Sequence, residues 1–302
     1  MRCLITGGAG FIGSNLADQL VKLGHNVHIL DNLSLGKLSN LEQIQNKIQF
    51  NKVNICENEK ELEKYFSNID WVFHLAGLVN TEESIRNPKD FFNTNVNGTK
   101  NILKAAKNAN VKKFIYSASA SCYGEVKKYP INENVETDPK NPYAETKLIG
   151  EQQVINWSKN FSPPAVSLRF FNVYGPRSIS KKGYGAVFSI FLSQKISKEP
   201  LTIVGDGNQT RDFVYVNDVV EAMISAAKSK RESSIYNVGT GKEVTINKIA
   251  NIIGGKKVFL PKRPQEIERS VADISKIKSE LDWKPKIQIE EGLKILLNNI
   301  NT

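Results

Sequence analysis

The stretch that decides the fold is residues 3–13, CLITGGAGFIG, in which an apolar run leads into three spaced glycines. The run Cys3–Thr6 has the length and apolar character of a short buried strand. Beyond the glycines, apolar side chains recur at helical spacing from Ile12 through Leu16 to Leu20. A strand, a glycine-rich turn and an amphipathic helix in this order predict the first βα unit of a parallel sheet.

The same alternation continues through the first half of the chain. Four further runs have the composition of buried strands: Val27–Leu30, Trp71–Leu75, Phe114–Ser117 and Val166–Phe170. Helical patterns lie between them at Asp90–Asn108 and Tyr143–Trp157. Continuous apolar strands separated by helices are typical of a parallel sheet that is covered on both faces. The sequence therefore predicts an α/β protein with a doubly wound parallel Rossmann sheet.

The regular alternation of strand-like and helical patterns ends at about residue 170. Gly175-Pro176 and the turn Gly205-Asp206-Gly207 interrupt the pattern, and the strand-like runs become short and isolated. We predict a first domain over residues 1–170 and a smaller, mixed α/β substrate domain over residues 171–302. The run Phe213–Val216 and the helical pattern after it could return to the first domain, so part of about 213–230 is interleaved in this prediction.

The charge of the chain raises the question of nucleic-acid binding. Its formal net charge is +10 in 302 residues, but the excess is mostly lysine scattered along the sequence. The sequence has no arginine-rich tail, zinc-finger spacing or basic heptad, so a role in nucleic-acid binding is not predicted. A positive field would still help to attract an anionic substrate such as a nucleoside diphosphate.

The cysteines and the apolar runs bear on the compartment. Cys3, Cys56 and Cys122 are not spaced like metal ligands, and we expect three reduced thiols and no metal. No run approaches the roughly 18 apolar residues that a bilayer-spanning helix requires. The first residues read as a strand rather than a signal peptide. These features predict a cytoplasmic protein.

The glycine-rich turn is typical of a dinucleotide site. Gly7 would permit a tight turn, Gly10 would let the backbone approach a pyrophosphate, and Gly13 would allow close helix–strand packing. The helix that starts near Phe11 and Ile12 would present free N–H groups to the phosphates. A purely structural turn is the alternative, but the strand before it and the helix after it favour the dinucleotide.

The end of the second predicted strand indicates which dinucleotide would bind. Asp31 could accept hydrogen bonds from both adenosine ribose hydroxyls and would repel a 2′-phosphate. No arginine follows it from Asn32 to Gly36, which favours NAD over NADP. The remaining predicted cofactor contacts lie at the ends of the third and fourth strands: Asn54 and Ile55 against the adenine, and Leu75 and Ala76 beside the dinucleotide.

A phenol and an ammonium four residues apart form the predicted chemical centre. Tyr143 and Lys147 would share one face of a helix. A neighbouring ammonium, reinforced by a positive nicotinamide ring, would lower the pKa of the tyrosine. A phenolate would then be a suitable general base for removing a hydroxyl proton. Ser119, at the end of a predicted strand ahead of this pair, strengthens that interpretation over a simple surface pair.

With these motifs, the sequence resembles the extended short-chain dehydrogenase/reductase family and, within it, the UDP-glucose 4-epimerase-like enzymes (NAD-dependent epimerase/dehydratase). The resemblance runs from Arg2 to about Pro285. It is carried by the segments TGGAGFIG (6–13), DNLSLG (31–36), HLAG (74–77), NVNGT (95–99), SASASCYG (117–124), YAETK (143–147), RFFNVYGPR (169–177), GDGNQTRDFVYVND (205–218), YNVGTG (236–241) and RPQEIERSVAD (263–273).

The resemblance implies the roles of the reacting residues. Tyr143 would be the acid/base, and Lys147 would hold the nicotinamide ribose while tuning Tyr143. Ser119 would hydrogen-bond the reacting sugar hydroxyl.

The resemblance also implies how a nucleotide-sugar would be held. Asn172 would contact its diphosphate, and Arg211 and Arg263 would neutralise it, a task that suits the fork geometry of guanidinium groups. Thr202 lies in a run that resembles the strand beside the nucleotide base. Val187 would lie nearby.

The residues that follow Ser119 help to choose among the reactions of the family. Related 4,6-dehydratases carry Asp-Glu where this chain has Ala120 and Ser121, and UDP-xylose-forming decarboxylases keep a Glu corresponding to Ser121. The absence of both carboxylates favours 4-epimerisation of a UDP-hexose through a transient 4-keto sugar. A keto-sugar reductase, an epimerase acting on another nucleotide-sugar and a non-catalytic NAD-binding protein are the alternatives.

The resemblance bears finally on sugar selectivity and assembly. Ser270 falls where some 4-epimerases carry a bulky Tyr near the C2 substituent. A small residue there suggests room for an N-acetyl group, so UDP-GlcNAc/UDP-GalNAc is expected alongside, or in preference to, UDP-glucose/UDP-galactose. Ser270 could equally be a rim residue without a selective role. Family members commonly pair through helices that here would be 90–108 and 143–157, so a homodimer is expected.

Overall fold

A parallel sheet forms the centre of the computed structural model, which describes residues 1–161, 163–178, 187–262 and 267–300. Seven described strands form it in the order β11-β6-β5-β4-β1-β2-β3. Their bounds are β1 Arg2–Thr6, β2 Asn26–Asp31, β3 Ile48–Lys52, β4 Trp71–His74, β5 Lys113–Ser119, β6 Ala165–Phe170 and β11 Ser234–Val238. All the pairings are parallel, so the predicted doubly wound α/β fold is confirmed.

Helices cover both faces of this sheet. One face carries α1 Phe11–Lys22, α8 Val216–Lys228 and α10 Ser275–Leu281. The other carries α2 Glu59–Glu63, α5 Thr99–Asn108 and α6 Pro142–Asn160. Two separate clusters of buried apolar side chains, one on each face, hold these layers together. Their burial explains why the strands read as continuous apolar runs in the sequence.

The helix predicted over residues 90–108 is interrupted. A short helix α3 Thr81–Arg86 comes first, then α4 Pro88–Phe92, a π-helical segment Asn93–Gly98, and α5. Within the π-helical segment, the side chain of Asn95 is buried and bonds to the backbone of Leu78. Such π segments inside helices are frequent at functional sites.

The third strand also ends earlier than predicted. It stops at Lys52 rather than at Asn54-Ile55. The chain turns there because the side chain of Asn54 accepts a hydrogen bond from the N–H of Cys56, while its carbonyl accepts one from Glu57.

The second half of the chain builds a smaller layer beside the sheet. It contains three two-stranded pairs, formed by β7 Asn172–Tyr174 with β10 Phe213–Tyr215, β9 Thr210–Arg211 with β12 Val244–Thr245, and β8 Leu201–Val204 with β13 Lys257–Leu260. The helices α7 Val187–Ile196, α9 Ile246–Ile253 and α11 Ile289–Ile300 pack with them around a third apolar cluster. Helix α8 and strand β11 belong to the main sheet layer. The division of the chain at about residue 170 stays a prediction.

Among the described residues, no helix combines the length and the apolar character that a membrane crossing requires.

Candidate active site

The glycine-rich loop lies between β1 and α1 in a conformation that depends on glycine. Gly7 has φ +71° and donates to Leu30 O at 2.8 Å, which ties the loop to β2. A Cβ on Gly13 would lie 2.2 Å from Gly7 O, so the helix could not pack this closely with any larger residue. A Cβ on Gly10 would meet only Gly7 O within 4 Å. The loop therefore has its open side at Gly10, as pyrophosphate binding requires.

The N-terminus of α1 follows this open side. Helix α1 starts at Phe11 with Ile12 as its second residue, and no side chain caps it. Its first N–H groups therefore have no side-chain acceptor, which suits the binding of an anion.

Asp31 ends β2 next to the loop and is buried. One carboxylate oxygen accepts the N–H of Ala9 at 3.0 Å, and the other accepts the N–H of Leu33 at 2.7 Å. A Cβ on Gly36 would lie 2.9 Å from both oxygens, so the segment after Asp31 passes close over the carboxylate. This geometry fixes the acidic group beside the glycine loop. Asn32, the next residue, is exposed, and its side chain accepts the N–H of Ser34.

The other predicted cofactor residues lie at the carboxyl ends of β3 and β4. Ile55 is buried and Asn54 is exposed just beyond β3. Leu75 continues the hydrogen bonding of β4 by donating to Thr6 O at 3.1 Å, and the N–H of Ala76 donates to the hydroxyl of Thr6 at 3.2 Å. The structure thus brings these segments to the same edge of the sheet as the glycine loop.

His74 is a buried residue of β4. Its ring lies 2.6 Å from the Thr6 hydroxyl and 2.9 Å from the Thr99 hydroxyl. Complete burial, together with the charge of Lys147, lowers the pKa of His74 to about 3, so the ring is neutral. It therefore serves as a neutral hydrogen-bonding link between β1, β4 and α5.

Asn95 is a site residue to which sequence reasoning gave no role. It is buried, and its amide accepts the N–H of Leu78 at 2.8 Å and donates to Leu78 O at 3.0 Å and to the Thr146 hydroxyl at 3.1 Å. A Cβ on Gly77 would lie 2.9 Å from its oxygen. Asn95 thereby holds the loop after β4 against α6. The only signal in the sequence was the Asn-Val-Asn-Gly run inside a helical pattern.

Ser119 and Tyr143 meet at the carboxyl end of β5. Helix α6 starts at Pro142, where the side chain of Asn141 caps it by accepting the N–H of Ala144 at 2.9 Å. This start places Tyr143 in the first turn, beside the Ser119 side chain, which favours the phenolate. The hydroxyl of Ser121 in turn donates to Ser119 Oγ at 2.8 Å.

Burial dominates the protonation of Tyr143 in the protein alone. The expectation was that Lys147 and a positive nicotinamide ring together lower its pKa; in the protein alone burial raises the pKa of Tyr143, and only Ser119 opposes the rise. Desolvation of the phenol is the larger effect here because it penalises the charged form directly.

Lys147 lies one helical turn further along α6 and is buried. Its Nζ lies 4.5 Å from the centre of the Tyr116 ring, and the Tyr116 hydroxyl donates to Lys147 O at 3.4 Å. Burial lowers the pKa of Lys147 to about 8, while the charge of Glu151 opposes that fall. The ammonium is therefore close to titration near neutral pH.

Asn172 and Arg211 lie in strands of the smaller layer, β7 and β9. Asn172 uses both its backbone N–H and its side-chain amide to donate to Asp212 O, at 3.0 and 3.2 Å. Arg211 donates to Thr210 O at 2.9 Å. Both residues therefore depend on the segment around Asp212.

Asp212 is a second site residue that the sequence did not reveal. Its side chain is fully buried and accepts four hydrogen bonds, from the N–H and hydroxyl of Thr240 and from the N–H groups of Gly241 and Ala272. Burial raises its pKa, and these bonds oppose the rise. One carboxylate thus joins three loops around the predicted substrate residues.

The remaining predicted substrate residues are spread over the smaller layer. Ser270 is half-buried, two residues before Ala272. Thr202 pairs with the Gln194 amide through its hydroxyl at 2.8 Å and its N–H at 3.1 Å. Val187 starts α7 and packs against the third apolar cluster. Arg263 lies outside the described residues.

The family can now be stated. A family model described as GDP-mannose 4,6 dehydratase matches residues 4–296. The chain therefore belongs to this family of extended short-chain dehydrogenases/reductases, and the resemblance that its motifs carry is confirmed.

Solved structures with the same fold narrow the comparison. A UDP-glucose 4-epimerase of Thermotoga maritima, solved with UDP-glucose, is 34% identical with a TM-score of 0.94 over 100% of this chain and 99% of that one. A UDP-N-acetylglucosamine 4-epimerase of Methanobrevibacter ruminantium, in complex with UDP-N-acetylmuramic acid, is 34% identical with a TM-score of 0.91 over 99% and 98%. A UDP-glucose 4-epimerase of Thermus thermophilus in complex with NAD is 31% identical with a TM-score of 0.90 over 100% and 99%. Sequence relatives at similar identity also include UDP-sugar decarboxylases.

Proposed function

We propose that the protein is an NAD-dependent 4-epimerase of UDP-hexoses. The observation that carries the proposal is that Tyr143, in the first turn of α6, interacts with Ser119 at the end of β5 and is followed one turn later by the buried Lys147, at the same sheet edge as the glycine loop. The similar solved structures named as 4-epimerases support an isomerase. The reaction inverts C4 of the sugar through a transient 4-keto sugar.

The described residues fit NAD, which is the cofactor. The open side of the loop at Gly10 and the uncapped N-terminus of α1 suit its pyrophosphate. Asp31, fixed at the end of β2, suits the hydroxyls of the adenosine ribose. When bound, NAD supplies the reversible acceptance of a hydride.

The residues of the chain supply the proton transfer and the positioning. Tyr143 exchanges a proton with the C4 hydroxyl, which Ser119 orients through its own hydroxyl. Lys147, as a buried cation, favours the phenolate over the phenol during that exchange. Arg211 and Arg263 hold the diphosphate while the 4-keto sugar turns about it.

The surroundings of Ser119 favour epimerisation over elimination or decarboxylation. Ser121, where related dehydratases and decarboxylases have a carboxylate, uses its hydroxyl to hydrogen-bond Ser119. Ala120, the residue between them, has no titrating group. Dehydration needs a further acid and base at these positions, and this chain offers neither.

The test is to incubate the purified protein with a panel of UDP-sugars, without added NAD, and to follow the products by NMR. We expect interconversion of C4 epimers and no steady change in absorbance at about 340 nm, because the cofactor is regenerated in each turnover. Tyr143→Phe should abolish turnover and still bind NAD. Wild-type activity in that variant, or stoichiometric consumption of cofactor, would refute the proposal.

The C2 substituent of the sugar is a finer part of the proposal. Ser270 is small and half-buried, which supports room for an N-acetyl group, and a similar solved structure is named a UDP-N-acetylglucosamine 4-epimerase. Ser270→Tyr should selectively remove activity on UDP-GlcNAc/UDP-GalNAc. An equal loss on UDP-glucose/UDP-galactose would show that the residue lines the rim without selecting.

Assembly and location complete the proposal. We propose a homodimer contact at α5 and α6. Phe161, which directly follows α6, is 58% exposed. The Lys107 ammonium lies over the rings of Phe161 and Trp157. Sedimentation of wild type and Phe161→Glu tests it, since only the variant should run as a monomer. A cytoplasmic location is consistent with the three free cysteines.

A further inference from the structure

A buried ion pair lies directly beneath the predicted catalytic helix. Glu151, on α6, and Arg169, on β6, are 2% and 5% exposed, and Arg169 Nη2 lies 2.6 Å from Glu151 Oε1. Arg169 Nε adds a bond of 3.0 Å to Oε2, and the Ser167 hydroxyl donates to the same oxygen at 3.0 Å. Such a pair is costly to bury and is weak evidence for stability. Stability alone therefore does not explain why this ion pair is buried here.

The pair is oriented relative to the active site. Glu151 follows Lys147 by four residues, so both side chains share one face of α6. The guanidinium of Arg169 lies on the other side, 4.8 Å from the centre of the Tyr123 ring. The negative end therefore faces Lys147, and the positive end faces the segment after β5. Among the described residues, only Glu151 contributes an opposing charge to the titration of Lys147.

We propose that the Glu151–Arg169 pair is a positioning element that keeps the Lys147 side chain charged at working pH. Neither residue touches the reacting atoms, so both act through Lys147. The net charge of the Glu151–Arg169 pair is zero. The pair favours the charged form of Lys147 only because its carboxylate end faces Lys147. Part of this inference, the rate effect, rests on the proposed epimerase function.

The other groups that face Lys147 cannot replace this effect. Tyr116, on β5, presents a ring face and has its pKa raised far out of range by burial. His74, on β4, is neutral because burial and the Lys147 charge lower its pKa to about 3. Tyr143, on α6 itself, is neutral at rest because burial raises its pKa. Glu151 is thus the one full negative charge among these neighbours.

The test removes the charges while retaining the shapes. In Glu151→Gln/Arg169→Met neither side chain carries a charge, and the new amide oxygen can still accept a hydrogen bond from the Ser167 hydroxyl. Glu151→Gln alone retains the same acceptor but leaves the Arg169 cation unpaired, so it tests the same direction of the pKa change with a larger expected effect. Val154→Ala, a buried apolar change on the same helix, is the matched control for altered packing.

The readout is the pKa of Lys147 itself, followed by the NMR titration of its labelled Cε and assigned with Lys147→Met. The double variant should lower this pKa by about one pH unit and Glu151→Gln by at least as much, while Val154→Ala leaves it unchanged. The alkaline limb of kcat/KM should move down by the same amount. An unchanged Lys147 pKa in a folded Glu151 variant would overturn the inference. If the wild type turns over no UDP-sugar, the proposed function fails while the NMR titration still decides this proposal.

Discussion

The clearest consequence of the buried site concerns His74 and the dependence of stability on pH. The native ring has a pKa of about 3, against a value of 6.5 for an unperturbed histidine. A group whose folded pKa is depressed contributes stability above its unfolded pKa, and that stability is lost as the pH falls. Between about pH 7.5 and about pH 5, the unfolded chain binds a proton that the native state does not bind.

The size of the loss follows from these two values. At about pH 5 the unfolded histidine is mostly protonated and the native one is not, which costs about 2 kcal/mol of unfolding free energy relative to about pH 7.5. The result depends little on the native pKa, provided that it stays well below the experimental pH. His25 and His28 also have lowered pKa values, caused mainly by burial, so the three histidines together lose more than this share.

Urea unfolding of wild type and His74→Gln at the two pH values measures the share of His74. The variant should be less stable at about pH 7.5, because it loses hydrogen bonds with Thr6 and Thr99, but it should lose about 2 kcal/mol less on acidification. Thr99→Val is the control, since it removes a bond to the ring and leaves the titrating group in place. Equal losses in wild type and His74→Gln would show that the ring is protonated in the native state, and would refute the reasoning.

Three further variants test the loops around the site. In Gly13→Ala the new Cβ would lie 2.2 Å from Gly7 O, so α1 must move. The affinity for NAD, measured by calorimetry, should therefore fall at least about tenfold. An unchanged affinity would contradict the close packing of α1 against the loop. In Asp31→Ala the hydrogen bond from the N–H of Ala9 is lost, and so is the repulsion of a 2′-phosphate. The preference for binding NAD over NADP should therefore shrink. A retained preference would show that this carboxylate does not select the cofactor. In Asp212→Asn an amide replaces a carboxylate that accepts four hydrogen bonds. The free energy of unfolding in urea should fall by roughly 1–3 kcal/mol, and KM for a UDP-sugar should rise. Wild-type stability would show that the hydrogen bonds rearrange at no cost.

Much of this architecture was predictable because its signals are local. The strand, glycine turn and helix at 3–22 occupy consecutive residues, so their pattern predicts both the fold and the cofactor edge. Tyr143 and Lys147 are four residues apart on one helix, and the helix geometry places them on one face. Ser119 meets Tyr143 because the carboxyl ends of parallel strands share one edge of the sheet.

Residues whose partners lie far along the chain were not predictable in this way. Asn95 bonds to Leu78 and Thr146, 17 and 51 positions away, and no periodic pattern records such pairs. Asp212 gathers loops 28 and 60 residues further on, and in the sequence it is one acid among 31. The raised pKa of Tyr143 in the protein alone was not predictable for a related reason, since the extent of burial depends on packing that the motif does not contain.

Burial acts on the two central groups in opposite directions that lead to the same state. It raises the pKa of Tyr143 and lowers that of Lys147, so in the protein alone both are driven toward their neutral forms. One neighbour opposes the effect of burial on the pKa at each group: the Ser119 side chain at the phenol, and the charge of Glu151 at the ammonium. With its pKa raised, Tyr143 stays a phenol in the protein alone, so a positive charge beside it, such as the Lys147 ammonium, is needed to favour the phenolate. The chemistry of the site thus depends as much on these two neighbours as on the Tyr–Lys pair.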